Sequence, residues 1–191
     1  KAETINGVFH GAKALIDIDT TEVTHYADAP AWKSAQNIND KAEILCWPLF
    51  GLGDYVFHAS VHTAARMTAT DSDNGGCPAE SPSNKSLQID RACLADGTTV
   101  LLDLNQANYL NSNGIVTALN FIGGDVLWGN ETACFPADTD VKNYFIPVSR
   151  MFGWVANSLV LSYWSKLDKK MTRRLIDSIV NSVNIWPVSY T

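Results

Sequence analysis

The sequence predicts an α/β chain in which a layered, mostly parallel sheet is followed by a β-turn-β unit and C-terminal helices. Three observations carry that expectation. Short apolar runs at 13–17 (KALID), 41–50 (KAEILCWPLF) and 98–104 (TTVLLDL) alternate with segments of helical period. Residues 119–134, LNFIGGDVLWGNETAC, hold two apolar runs broken by Gly123 and Gly124 and ended by a Trp-Gly-Asn turn. Beyond Pro147 the apolar residues recur every three and four positions.

Taken in order, Ala2 to His10 reads as the last turns of a helix ending at Gly11, and Lys13 to Asp17 as a short strand. Thr21 to Gln36 stays open: Thr20 or Thr21 suits a helix cap, yet Pro30 must begin, kink or end the helix. Lys41 to Phe50 is a buried strand with Pro48 near its end. Gly51, Gly53 and Asp54 then precede a helix over Tyr55 to Thr70, with Asp54 placed to cap it and Val56, Phe57, Val61, Ala64, Ala65 and Met67 on its buried side. Residues 71–88, DSDNGGCPAESPSNKSLQ, lack any apolar period and form a long loop, the kind that usually carries a contact or a function.

Thr98 to Leu104 returns as a strand, and Asn105 to Asn113 as a helix closed by Gly114. Ile115 to Ile122 and Asp125 to Trp128 are the strands of the β-turn-β unit. Pro147 fits the first turn of a helix reaching about Lys166, because its missing amide hydrogen has no partner to lose there. Asp168, Lys169 and Lys170 make a turn, and Thr172 opens a last helix whose apolar face is Leu175, Ile176, Ile179, Val180 and Val183.

Composition narrows the function classes. The 191 residues are 46% hydrophobic, enough for one sizeable core or for one domain and part of another. With 14 Lys and Arg against 20 Asp and Glu, the net charge of -6 leaves no basic footprint for nucleic acid. Lys1 to Phe9 has neither the apolar core nor the cleavage site of a secretory leader. Tyr144 to Trp164 is long enough to span a bilayer, but Pro147, Arg150, Asn157 and three serines make a buried helix the better reading. Cys46, Cys77, Cys93 and Cys134 form no C-x-x-C pair and read as reduced, buried thiols.

No motif assembles a catalytic or ligand set, so no catalytic, cofactor-binding or metal-binding residue is assigned and no cofactor is expected. His58 and His62 stand four apart on the expected helix, yet Ala59 occupies the position where a zinc protease carries Glu, and no third ligand is suitably spaced. The string Asp71 to Gly76 has a calcium-loop glycine at its sixth position, but Pro82 stands at the twelfth, so a helix exit is the plainer reading. Gly51 to Asp54 lacks the third glycine of a dinucleotide loop and the Lys of a P-loop. There is no G-x-S-x-G elbow; Asp17 and Asp19 are carboxylates of the kind common at strand ends. Asn130-Glu131-Thr132 is a glycosylation sequon without the secretion that would give it meaning.

Several ordered strings together resemble the tail sheath proteins of contractile phages and of prophage or bacteriocin-like particles. They are ILCWPLFGLGD (44–54), ESPSNKSLQID (80–90), LNSNGIVTALNFIGG (110–124), LWGNETACFPADTDVKNYFIP (127–147) and RRLIDSIVNSVNIW (173–186). The resemblance implies a structural protein and no enzyme: hexameric rings of sheath subunits stacked around a tail tube, contracting to drive the tube through a cell envelope without nucleotide hydrolysis. It also implies a subtilisin-like α/β body that has no protease site.

Under that resemblance, residues 1–114 are the body, truncated at its N-terminal side, and 115–191 are the start of a C-terminal domain. The β-turn-β unit would join the two, with Trp128 packed near Phe152 and Trp154. Its partners are other sheath subunits and the tail tube protein, with no nucleic acid and no membrane insertion, and its place is the virion tail, or the host cytoplasm during assembly. The sequence lacks the terminal arms of such proteins and stops at PVSYT (187–191), so it reads as an internal piece that alone stays monomeric. The alternatives are a tail adaptor or baseplate protein on the same fold, or a degenerate α/β hydrolase. The 71–90 loop and the turn at Asp168 to Arg174 are the expected contact surfaces.

Overall fold

In the computed structural model, which describes residues 4–5 and 9–185, the larger sheet has four strands. They are β3 (Ala14–Asp17), β4 (Glu43–Cys46), β8 (Ile115–Asn120) and β9 (Asp125–Trp128), in that spatial order. The first three are parallel, with Leu15 opposite Ile44 and Leu45 opposite Ile115; β9 returns antiparallel, with Leu127 opposite Ala118. A second sheet of β6 (Tyr55–Phe57), β5 (Leu49–Leu52) and β7 (Arg91–Cys93) is antiparallel throughout. The expected mostly parallel sheet therefore holds for the larger sheet alone, and the fold as a whole is mixed α/β.

Helices cover both faces of the larger sheet, and the strand residues divide between two cores accordingly. Ile44, Cys46, Val116, Ala118 and Leu127 face one core with Phe50 of β5, Ala59 and Met67 of α2 (Ala59–Asp73) and Ile146 of α5 (Ile146–Tyr163). Leu45, Trp47 and Ile115 face the other with Ala29 of α1 (Ala29–Ala35) and Leu110 of α3 (Leu104–Asn111). A strand buried on both sides needs an unbroken apolar run, which is why EILC and IVTAL do not alternate.

Several elements depart from expectation. Residues expected as a helix near the start instead pair as strands, β1 (Thr4–Ile5) against β2 (Phe9–His10); the rest of that stretch lies outside the described residues. The apolar run 41–50 is two strands rather than one, because the chain turns at Trp47-Pro48 and passes from the larger sheet to the smaller. Tyr55 to Phe57 is strand β6, folded back on β5 around Gly53 (φ +56), so α2 starts only at Ala59 and Asp54 does not cap it. Residues 98–104 make an isolated bridge, Cys93 to Thr99, and no strand. Asp103 ends the run by capping α3, accepting from Gln106 N at 2.8 Å, while Gln106 Oε1 accepts from Asp103 N.

The C-terminal expectations hold closely. Pro147 lies in the first turn of α5, which follows the single-turn α4 (Val141–Tyr144), and Thr172 Oγ1 accepts from Leu175 N at 3.2 Å at the head of α6 (Arg173–Ile185). Within α6, Leu175, Ile179 and Val183 are half-buried while Ile176 and Val180 are exposed. Two compact units emerge, Lys1–Ser158 and Leu159–Thr191, so β8 and β9 belong with the strands before them.

Candidate functional site

Asp17, His58 and Ser60 are the most reactive-looking set of side chains, and only the tertiary fold brings them together. Asp17 ends β3, where a parallel strand delivers its side chain to the start of α2. Its carboxylate accepts from Ser60 N at 2.8 Å and Ser60 Oγ at 2.5 Å, and lies 3.1 Å from His58 Nδ1. A carboxylate holding a histidine is the outer half of a hydrolytic triad, but here the serine hydroxyl donates to the carboxylate and not to the imidazole. What the arrangement does is cap a helix. His58, the N-cap residue, offers no side-chain acceptor, and Asp17 supplies one from another element where negative charge suits the helix terminus.

The other sequence candidates separate in the same way. His62 does not converge with His58: its ring packs edge-on against Phe50 and Phe57, and burial lowers its pKa. Among the described residues no three potential ligands cluster as a metal site. Asp71 of the would-be calcium loop is gripped by both terminal nitrogens of Arg150, while Gly76 N returns to Asp71 O at 2.7 Å as the helix ends. Gly53 N donates to Asp90 Oδ2 at 2.6 Å, and its carbonyl accepts from Arg91 at 2.9 Å, so this turn is a hairpin tip whose amide already has an acceptor. Asp19 accepts from Thr21 N and Oγ1, which holds its carboxyl below the ordinary range and away from Asp17.

All four cysteines are free and buried. Burial pushes the Cys46 thiol up to about 12, with Thr63 Oγ1 3.6 Å away, so it is no nucleophile. Trp128 points to α3, its indole N–H donating to Asn108 Oδ1 at 3.0 Å, and not to the expected neighbourhood of Phe152 and Trp154. Register decides this: Trp128 lies opposite Thr117 at the end of β9 nearest α3. The 71–90 loop is less open than expected. Residues 84–87 run along β9, with Asn84 N to Leu127 O at 2.6 Å, Leu127 N to Lys85 O at 2.9 Å and Leu87 N to Asp125 O at 2.8 Å. They close a sheet edge that would otherwise present unpaired backbone groups.

Two lysines, Lys33 buried and Lys13 half-buried, were not foreseen. Lys33 is 7% exposed and donates to Asn113 O and Phe135 O, and burial lowers its pKa to about 8. Lys13 donates to Lys41 O at 2.7 Å and Ser149 Oγ at 2.6 Å; burial, then repulsion from Lys41, lowers it to about 8 as well. Lysine is seldom buried, so sequence gives no signal for either. Outward-facing apolar side chains are the other conspicuous feature: Leu52, Tyr55, Val56 and Phe57 on the β5–β6 hairpin, and Phe121 and Ile122 at the turn before Gly123. No described helix is long and apolar enough to cross a membrane.

No protein-family model matches this chain. Over 83 residues it is 39% identical to a tail sheath protein of Burkholderia phage BcepMu, a match covering 42% of this chain and 17% of that protein. The likeness of fold reaches further. A chain of an extracellular contractile injection system, the PVC sheath complex in its contracted state, aligns over 94% of this chain and 48% of its own, with a TM-score of 0.76 and 17% identity. The fold is that of contractile sheath proteins. A chain from the baseplate of the anti-feeding prophage shares the sheath fold over 92% of this chain and 44% of its own, at a TM-score of 0.71 and 18% identity. The sheath tail protein of Desulfitobacterium hafniense shares it more loosely, at a TM-score of 0.55 and 14% identity over 87% of this chain and 35% of that one. The chain thus spans less than half of each structural relative, and its matched segment a sixth of the phage protein.

Proposed function

We propose that this chain is part of a structural subunit of a contractile tail sheath, which surrounds a tail tube and contracts to drive it through a cell envelope. The observation that carries the reading is the sheath fold over 94% of the chain, alongside the 39% identity to a phage tail sheath protein. Its partners are then other sheath subunits, arranged as hexameric rings, and the tube protein; its place is the tail of a phage or phage-like particle, assembled in the host cytoplasm. The work is mechanical and no residue is catalytic. That agrees with Asp17, His58 and Ser60 being spent on a helix cap.

In this reading the two-sided sheet is a subtilisin-like body without its protease site. Residues 1–114 supply most of that body, and 115–191 begin a C-terminal domain whose first two strands complete the body's sheet. The likeness to a baseplate chain supports a second reading, a subunit of the same fold at the tail end.

Negative-stain electron microscopy of the polypeptide at its native length, beside residues 1–191 alone, separates these. Stacked rings or tubes from the native-length protein, with monomers from residues 1–191, are expected. Contractible tubes from residues 1–191 alone would overturn the expectation that this piece stays monomeric. A native-length protein that stays monomeric at high concentration and binds only tail ends would favour the baseplate reading.

A further inference from the structure

A groove of about 520 Å³ in the first compact unit has no part in the cores or the helix caps. Lys13, Lys41 and Lys142 line it, and Phe152, Gly153 and Ala156 make one apolar side. The Lys13 ammonium donates there to Lys41 O and Ser149 Oγ. The charged groups around these lysines are already engaged. Asp40 accepts from Ala42 N at 2.7 Å, Asp138 from Asp140 N at 2.8 Å and Asn143 Nδ2 at 2.7 Å, Asp140 from Lys142 N at 3.0 Å, and Arg150 is paired with Asp71. A lysine-lined recess is the exception on a chain whose net charge is -6, so the surface of another copy is its natural electrostatic complement.

The same chain carries a protrusion of matching character. Residues 52–58 are exposed without interruption, with Leu52 43%, Tyr55 71% and Phe57 39% exposed, and Asp54 stands at the tip of the hairpin beside Gly53. Apolar side chains flanking one carboxylate fit a groove that offers the Lys13 and Lys142 ammonium groups and an aromatic side. The other exposed apolar tip, Phe121 and Ile122, matches less well, because Asp125 beside it is half-buried and its carbonyl is taken by Leu87 N.

We propose that this groove is a docking site for a second copy of the chain, and that its occupant is the Leu52–Phe57 hairpin, with Asp54 meeting Lys13 and Lys142. Because the two patches differ, each copy offers one of each, and the contact propagates head to tail into rings or filaments. The proposal rests on the subunit reading only for the assembly in which the second copy sits.

The test uses the native-length polypeptide, with ordinary and 15N-labelled chains mixed before assembly. A carbodiimide then joins any carboxylate and amine in contact, with loss of water, and the linked peptides are identified by mass spectrometry. The expected product is the Asp54 peptide joined to the Lys13, Lys41 or Lys142 peptide with one light and one heavy partner. Asp54→Lys and Lys142→Glu should each cut that mixed-isotope yield by at least about fivefold, and the two together should restore it. Links confined to peptides of one isotope, or no link to Asp54, would overturn the proposal, as would single variants that leave the yield unchanged. Microscopy of the same samples keeps the two ideas apart. Rings without the mixed link sink the docking proposal alone, whereas the mixed link without rings or tubes sinks the sheath reading and leaves the docking contact standing.

Discussion

Replacing Gly114 by alanine should be the most damaging single methyl in the body, and the cost can be built from the geometry. Gly114 sits between α3 and β8 with φ at +68, donating to Asn111 O at 2.8 Å, so the chain reverses at once from helix into the central strand. An alanine in that left-handed region costs about 1–2 kcal/mol. The added Cβ would also lie 2.6 Å from Thr132 O and 2.7 Å from Phe135 O. Neither carbonyl is free to give way: Phe135 O accepts from the buried Lys33, and the Thr132 backbone is tied to Tyr144 O at 2.7 Å. Overpacking of that kind adds about 1–3 kcal/mol, for a total of about 2–5 kcal/mol. Gly123→Ala is the control, since its φ is +80 but nothing lies within 4 Å of the new methyl, leaving only the backbone cost. Urea unfolding followed by tryptophan fluorescence reads both, because Trp47 is fully buried. If the two variants lose stability equally, within about 0.5 kcal/mol, the steric reasoning at Gly114 is wrong.

Four further outcomes can be checked on the same protein. Removing one partner of the Arg150 and Asp71 pair, whose side chains are 18% and 17% exposed, should cost about 1–3 kcal/mol in urea unfolding, discounted from a fully buried pair; removing both should cost less than the sum of the single losses. Asp17→Asn should lower stability by about 1–2 kcal/mol by weakening the cap on α2, and an unchanged melting temperature would refute that role. Stability should rise with pH between about 8 and 9: Lys33 and Lys13 titrate near 8 when folded and 10.5 when unfolded, so the unfolded chain binds more protons there and folding gains as pH rises. Above 9 the Cys46 thiol, which stays protonated to about 12 in the fold, opposes that gain, and Lys33→Met should flatten the rise below 9. A disulfide reagent such as dithiobis(nitrobenzoate) should find none of the four thiols in the native protein and all four in urea.

What the sequence made legible was whatever local chemistry decides by itself. The C-terminal helices were visible because Pro147 and Thr172 mark their starts and the apolar period runs on without a break. The end of α3 was visible because Gly114 is needed there. The run at 41–50 misled because burial on both faces erases alternation, so one apolar string hid two strands in two sheets. Tyr55 to Phe57 misled for a related reason: three β-formers before a true helix extend its apparent apolar face backwards. The Asp17, His58 and Ser60 cluster and the buried Lys33 were out of reach, since their partners lie far away in sequence, up to 102 residues for Lys33 and Phe135 O.

Those distant contacts also bear on the proposed structural role. An enzyme keeps some polar groups unspent, with a base or nucleophile aimed into a cleft and paid for in stability. Among the described residues, Asp17 ties β3 to α2, Asp71 ties α2 to α5, and Lys33 ties α1 to the turn after α3 and to the segment at Phe135, while Arg66 Nε is buried without a hydrogen-bond partner. Apolar side chains, by contrast, are left facing outward on the β5–β6 hairpin and at the tip before Gly123. In the proposed sheath reading, a subunit that passes force through contacts needs that division, a stiff interior with its adhesive chemistry on the outside. Substitutions in the interior should therefore change unfolding free energy and assembly together. A polar replacement of Tyr55, the most exposed of the hairpin's apolar side chains, should leave unfolding within about 0.5 kcal/mol of the parent and change assembly alone.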